Sequence, residues 1–219
     1  MIQGAIFDLD GTLVDSMRIW DNILTDYLDA RGLSWEPQIL QDIATMGLME
    51  SAAYVQKKYT LPYAPEEIVT QWEAMVFRLY AEEVKAKPGA VACVKALRKA
   101  GVPCCIATSN FRESTQAALR HIGLEEEFAR ILTADEVGGN KSQPDIYLAA
   151  AQYLDAAPQQ CLVVEDMLEA VRTAKNAGFW VCAVYDETSS RGVEQQLREA
   201  ADFYVKNLTE VLQKLSVME

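Results

Sequence analysis

Phe7-Asp8-Leu9-Asp10-Gly11-Thr12-Leu13-Val14-Asp15-Ser16 decides how this chain is read. An apolar run from Ile2 to Leu9 predicts a buried strand, and the turn-prone Asp10-Gly11 closes it. Side chains alternate along a strand, so two carboxylates two residues apart, Asp8 and Asp10, leave it toward one side. Taken alone, Asp10-Gly11 is equally a hairpin turn. The residues on either side of it, and their partners further along, have to decide.

Downstream of Ser16 the texture changes. From Met17 to Lys85 every long segment reads as helix. Trp20, Ile23, Leu24, Tyr27 and Leu28 recur at helical spacing before Gly32, and Ile68, Trp72, Met75, Val76, Leu79 and Tyr80 repeat the stripe. Such stripes are the core of a small helical bundle. Lys87-Pro88-Gly89 reads as a hinge, because proline cannot continue a helix and glycine frees the backbone. Beyond it, helices from Val91, Phe111, Pro144 and Met167 stop at Gly101, Gly123, Leu154 and Gly178. Apolar strands lie between and after them at Val102 to Ala107, Ile131 to Thr133, Cys161 to Val164, Trp180 to Tyr185 and Phe203 to Val205. Near-continuous apolar strands alternating with helices predict a parallel sheet covered on both faces. The expected architecture is an α/β core of residues 1–15 and 88–219, interrupted by an all-helical insert, residues 16–87.

Charge and composition narrow the function. Of 219 residues, 20 are Lys or Arg and 32 are Asp or Glu, a formal net charge of −12. That balance repels phosphate backbones and anionic lipid, so neither nucleic acid nor a membrane surface is expected as a partner. The longest apolar run, Ala177 to Tyr185, is too short to cross a bilayer, and no signal peptide is read at the start. The five cysteines show no C-x-x-C spacing and sit in apolar stretches, which argues against zinc and for reduced thiols in a cytoplasmic protein. The single histidine, His121, ends a helical pattern, where it complements the helix dipole rather than acting as a nucleophile. The chain is expected to act as a monomer.

Ligands of open parallel sheets bind beyond the carboxyl ends of the strands. Residues at those ends are Asp8 and Asp10 with Gly11 and Thr12, then Thr108, Ser109 and Asn110, and finally Glu165 and Asp166, with Lys141 in a loop. Four carboxylates on one rim repel one another unless a cation relieves them, and Lys141 alone does not neutralise four. A hard divalent ion with oxygen ligands, Mg²⁺ by preference, does. The hydroxyls, backbone N–H groups and Lys141 suit a phosphate. Each element also has a plainer reading. Asn110 with Glu113, and Asp166 with Glu169, have capping-box spacing, and Lys141 alone reads as a surface lysine. The combination on one rim outweighs these.

These residues resemble the haloacid dehalogenase superfamily. Phe7 to Ser16 looks like its first motif, Thr108 its second, Lys141 within Gly138-Gly139-Asn140-Lys141-Ser142-Gln143-Pro144-Asp145 its third, and Val163-Val164-Glu165-Asp166 its fourth. The helical insert is similar to the cap of the subfamily containing phosphoglycolate phosphatase and beta-phosphoglucomutase. Ser142 stands where the family usually has proline, Met167 where it has Ser or Thr, and Glu169-Ala170 where it has a small residue and Gly. The resemblance implies a Rossmann-like core, Mg²⁺ and an aspartyl-phosphate intermediate. It makes Asp8 the nucleophile and Asp10 the general acid and base of a phosphatase acting on a small phosphomonoester. Thr108, Ser109, Asn110 and Lys141 would hold the phosphate. Asp8, the Asp10 carbonyl, Glu165 and Asp166 would hold the metal.

Four rivals remain. A dehalogenase needs neither Asp10 nor the Glu165-Asp166 pair, a receiver-type phosphoacceptor is shorter and lacks the helical insert, and a catalytically silent binding module would be missing a motif residue, which this chain is not. A sugar-phosphate mutase of the beta-phosphoglucomutase kind typically carries a His and an Arg in the cap. Trp20 stands at the first of those positions, and the loop Thr45 to Glu50 offers no Arg. The nearby cations that could substitute are Arg18, Lys57 and Lys58, each read as a solvated surface residue. Residues 17–85 hold 6 Lys or Arg against 11 Asp or Glu, a balance of 6 − 11 = −5, which disfavours a heavily charged substrate.

Overall fold

The computed structural model describes residues 2–43, 46, 48–138 and 140–216. Thr45 and Gly47 of the loop read above, and Gly139 of the third motif, lie outside the described residues. The chain divides into two compact units, residues 1–17 with 80–219, and residues 18–79.

The larger unit is built on six parallel strands: β1 (Gly4–Phe7), β4 (Cys104–Thr108), β5 (Phe128–Thr133), β6 (Cys161–Glu165), β7 (Trp180–Val184) and β8 (Phe203–Val205). Their order is β5-β4-β1-β6-β7-β8. Every residue of β1, β4 and β6 is buried, so these strands are apolar toward both faces, as a sheet covered on both sides requires. On one face, Ile6, Cys105, Val163 and Val181 share a core cluster with Tyr147 and Ala150 of α7 (Asp145–Tyr153) and with Val171 and Ala174 of α8 (Leu168–Asn176). The alternate residues Ala5, Phe7, Ile106 and Val164 are buried too. α5 (Ala90–Lys99) packs against β4 and against α10 (Thr209–Leu215). This unit also carries the α-helices α6 (Arg112–His121) and α9 (Glu194–Ala200).

Strand order places the site. The chain leaves β1 for β4 and β5 on one side and later returns for β6, β7 and β8 on the other, so the winding reverses at β1. Phe7 is in register with Ile106 of β4 and with Val164 of β6. Asp8, Thr108 and Glu165 therefore arrive together at the carboxyl edge, where such a reversal opens a crevice.

The predicted strand Ile2 to Leu9 is shorter than expected and stops at Phe7. Leu9 O accepts the N–H groups of Thr12 (3.3 Å), Leu13 (2.8 Å) and Val14 (3.0 Å), a tight loop that begins just past Asp8, whose own N–H still pairs with Val164 O at 3.0 Å. The loop is not a hairpin turn. It leads into β2 (Val14–Asp15), which pairs antiparallel with β3 (Lys85–Ala86), a two-stranded ribbon that the sequence reading lacks. The strand expected at Ile131 to Thr133 begins earlier, at Phe128, and α9 and α10 lie in a tail read only as continuing the pattern.

The segment read as a hinge is tied down within this unit. Lys87 N donates to Leu13 O at 2.8 Å, and Pro88 O accepts the Leu208 N–H at 3.0 Å. Gly89 has φ +81°, and a Cβ there would lie 2.2 Å from Asn207 Oδ1 and 2.5 Å from Thr209 N. Only glycine fits at that approach.

The smaller unit is helical: α1 (Met17–Asp29), α2 (Gln38–Ile43), α3 (Leu48–Tyr59) and α4 (Pro65–Glu82), with the division between units falling inside α4. The expected stripes form its core. Ile23, Leu24, Tyr27 and Leu28 are buried with Ile68, Trp72 and Val76, and the Tyr27 and Trp72 rings meet edge to face at 5.8 Å. The Arg31 guanidinium stacks 3.5 Å from the centre of the Tyr27 ring.

All five cysteines are buried and free. Burial pushes the Cys93, Cys104 and Cys105 thiols up to about 12, Cys161 up to about 11 and Cys182 further still. Without thiolate there is no nucleophile. Iodoacetamide at about pH 8 should leave all 5 unlabelled in the folded protein and alkylate all 5 in guanidinium, read by intact mass. Labelling of the folded chain at the rate of a free thiol would contradict the burial described.

Candidate active site

Asp8 follows β1, Glu165 ends β6 and Asp166 comes next, and Lys141 reaches them from the loop ahead of α7. The Lys141 ammonium donates to Asp8 Oδ1 and, at 2.6 Å, to Glu165 Oε1. Lys141 is not the surface residue that its loop position alone would suggest. Tyr147, in the first turn of α7, donates its hydroxyl to the same Glu165 oxygen at 2.9 Å. Glu165 Oε2 accepts the main-chain N–H groups of Asp166 (3.1 Å) and Met167 (3.3 Å). Thr12 donates to Asp166 Oδ1 at 3.0 Å.

Asp10 is held separately. Ser16 and Tyr80 donate to its Oδ1, and Asn110 Nδ2 donates to its Oδ2 at 2.8 Å. The Asn110 N–H is turned inward to Thr108 Oγ1 at 3.0 Å. Asn110 thus orients Asp10, and its main-chain donor is engaged rather than open to a phosphate, as the sequence reading had it. The capping boxes also fail. The N-caps of α6 and α8 are Phe111 and Met167, neither with a side-chain cap, because Asn110 and Asp166 are drawn into the site instead. Thr108 is fully buried at the tip of β4, with Ser109 exposed beside it.

Burial dominates the electrostatics. With the Glu165 charge next in importance, it pushes the Asp8 carboxyl well above its ordinary range against the pull of Lys141. The same two causes raise Asp166 to about 7, while Thr12 and Lys141 work the other way. Burial opposes the Lys141 charge, but Asp8 and Glu165 outweigh it and hold the ammonium above its usual range. Tyr147 is raised by burial and then by Glu165, so its phenol stays protonated and serves as a donor.

Asp8, Glu165 and Asp166 offer oxygens that all lie within 4.8 Å of one another. Asp166 Oδ2 is buried and has no hydrogen-bond partner. Gly11, at φ +74°, leaves the space beside it, since a Cβ there would come within 2.4 Å of that oxygen. An unpaired buried carboxylate oxygen costs stability unless something completes it. A clustered all-oxygen donor set suits a hard cation, so these residues fit a divalent ion. The carboxylate of Asp10 stands outside this cluster of three.

Several contributing residues escaped the sequence reading. Tyr80 lies on a helical stripe that reads as core and Tyr147 in a segment read simply as helix, and nothing in either pattern reveals that their hydroxyls end on carboxylates. Ser16 lies inside the first motif without standing out from it.

Residues 2–178 match the haloacid dehalogenase-like hydrolases. The chain is 31% identical over 208 residues to the bifunctional riboflavin kinase/FMN phosphatase of Arabidopsis thaliana, covering 94% of this chain and 54% of that protein; it spans about half of that relative's length. It is 34% identical over 182 residues to hexitol phosphatase A of Escherichia coli, covering 83% of this chain and 82% of that one. Among solved structures, a putative beta-phosphoglucomutase from Thermotoga maritima superposes with a TM-score of 0.82 over 100% of both chains at 23% identity, a likeness of fold.

The raised Asp166 carboxyl fixes a sign for the ion-free protein. Its pKa rises from 3.8 to about 7 on folding, so the stability it contributes is complete below about pH 4 and is lost as pH climbs toward 7. Asp166→Asn should therefore match the wild type near pH 4 and become the more stable of the two, by urea denaturation in EDTA, as pH approaches 8. A wild type that stays the more stable at pH 8 would contradict the electrostatics described.

Proposed function

Because the chain belongs to the haloacid dehalogenase-like hydrolases, we propose that it is a phosphatase that hydrolyses a small phosphomonoester through a phosphorylated Asp8. The observation that carries this reading is Lys141 bridging Asp8 and Glu165 while Asp10, two residues on, is held apart in its own set of donors. One carboxylate is kept close to a cation and a second is oriented for proton transfer. The phosphatase names of the Arabidopsis and Escherichia coli relatives point the same way.

In the proposed reaction an Asp8 oxygen attacks phosphorus as the bond to the substrate oxygen breaks, and Asp10 gives its proton to the departing alkoxide. Water then attacks the phosphorus of the acyl phosphate and passes a proton back to Asp10, which releases inorganic phosphate and restores Asp8. Ser16, Tyr80 and Asn110 keep Asp10 oriented for both transfers. Lys141 has three N–H donors, and Asp8 and Glu165 take two, which leaves one for a phosphoryl oxygen. The Thr108 hydroxyl and the Ser109 main chain are assigned to the other phosphoryl oxygens. Asp8, Glu165, Asp166 and the Asp10 carbonyl are assigned to Mg²⁺, which when bound offsets the negative charge of nucleophile and phosphate.

We assign substrate selection to the helical insert, read as residues 16–87, whose acidic balance favours a substrate with little charge beyond its phosphate. Reduced, buried cysteines and the lack of any membrane-crossing helix among the described residues support a cytoplasmic site of action.

Turnover of p-nitrophenyl phosphate with Mg²⁺ tests the assignment. Excess EDTA and Asp8→Asn should each abolish it, and undiminished activity in EDTA would overturn the ion. Asp10→Asn should lose about 10²–10⁴-fold on alkyl phosphates, whose leaving groups need a proton, and distinctly less on p-nitrophenyl phosphate. Equal losses on both substrates would remove Asp10 from the proton-transfer role.

A further inference from the structure

Tyr147 takes no part in the reaction proposed above, yet its hydroxyl ends inside the site. The ring belongs to the core between the sheet and α7, in one cluster with Ile6, Ala107 and Val163, and it meets the Phe179 ring edge to face at 6.2 Å. A phenylalanine would fill this apolar space without burying a hydroxyl, and a buried hydroxyl costs stability unless a partner receives it. The partner here is Glu165, at 2.9 Å, and both side chains are fully buried.

Glu165 does not need that hydroxyl to balance its charge, because Lys141 does so at 2.6 Å. What Tyr147 adds is direction. The main-chain N–H groups of Asp166 and Met167 hold Oε2 at 3.1 and 3.3 Å, and Tyr147 holds Oε1 from α7. The carboxylate is thus fixed at both oxygens by groups outside the chemistry, and Lys141 docks on an acceptor already oriented. The loop that carries Lys141 runs into the first turn of α7, which the Tyr147 N–H closes on Pro144 O at 3.0 Å. One stretch of chain therefore brings two donors to one oxygen.

Lys141 has a second partner in Asp8, but that partner changes during the proposed reaction. When Asp8 becomes an acyl phosphate, its negative charge passes to the phosphoryl group. Glu165 undergoes no such change, so it is the acceptor that can keep the ammonium in one place through both displacements.

We propose that Tyr147 is a positioning residue for Lys141, acting through Glu165: its hydroxyl sets the acceptor from which the ammonium is aimed at the phosphoryl group. This rests on the phosphatase reading and adds to it a residue at one remove from the reacting atoms. Losing an outer partner of this kind typically costs about 10–100-fold in activity or affinity.

The test compares the wild type with Tyr147→Phe and with two non-natural replacements of Tyr147. In one, 4-methylphenylalanine keeps the shape of tyrosine without its donor; in the other, 4-aminophenylalanine keeps a donor. Two quantities are read in MgCl₂: kcat/KM for p-nitrophenyl phosphate, and the midpoint of the rise in melting temperature on titration with inorganic phosphate. Tyr147→Phe and the methyl variant should each lose about 10-fold or more in kcat/KM and need about 10-fold more phosphate. The amino variant should return both quantities toward the wild type. A hydroxyl that only stabilises the core would lower the ligand-free melting temperature and leave kcat/KM and the phosphate midpoint in place, and that result overturns the proposal. Equal losses in the methyl and amino variants overturn it as well, and this pair decides should Tyr147→Phe not fold. A wild type without activity on p-nitrophenyl phosphate would instead remove the phosphatase reading, a failure distinguishable from that of Tyr147.

Discussion

Lys141 stands between two carboxylates that the sheet register forces together. Asp8 leaves β1 one residue past Phe7, Glu165 ends β6 beside it, and both are buried. Without the ammonium, two negative charges would face each other in a medium that screens them poorly, and an uncompensated buried charge of this kind costs about 3–5 kcal/mol. The rest of the site follows from that arrangement. Tyr147 and two main-chain N–H groups saturate Glu165, and Thr12 satisfies one oxygen of Asp166. Asp10 is drawn to a separate set of donors. One oxygen, Asp166 Oδ2, is left over, and it is there that the proposed divalent ion would bind.

The fold provides this arrangement economically. Reversal of the strand order at β1 opens the carboxyl edge, and the loop closed on Leu9 O turns the chain at Asp10, just past Asp8 at the end of β1. Gly11 is required by the neighbouring carboxylate as much as by its backbone, because any Cβ there would occupy the space beside the open oxygen of Asp166. The ribbon of β2 and β3 returns the chain to the core at Lys87, which is tied both to that loop and to the loop after β7.

Much of this was legible in the sequence. The apolar runs of β1, β4 and β6 give the sheet because fully buried strands have no other composition, and the acids at their ends mark the rim. What stayed illegible depends on three-dimensional neighbours. Tyr80 falls on a stripe whose periodicity reports burial, and Tyr147 in a segment read only as helix, and neither reading says where a hydroxyl points. Asn110 and Asp166 carry the spacing of capping boxes, yet their side chains are taken by Asp10 and Thr12, so Phe111 and Met167 become the caps. Ribbon pairing between Val14 and Ala86 joins residues too far apart in the chain, and in strands too short, for any local pattern to show.

The central claim is that Asp8, and no other carboxylate of the cluster, takes up the phosphoryl group. Acid quench of the Asp10→Asn protein with p-nitrophenyl phosphate, followed by peptide mass spectrometry, tests this directly. The account predicts a phosphoryl adduct confined to the peptide carrying Asp8 and absent from Asp8→Asn. An adduct on Asp166 or Glu165, or an adduct that survives Asp8→Asn, would contradict it.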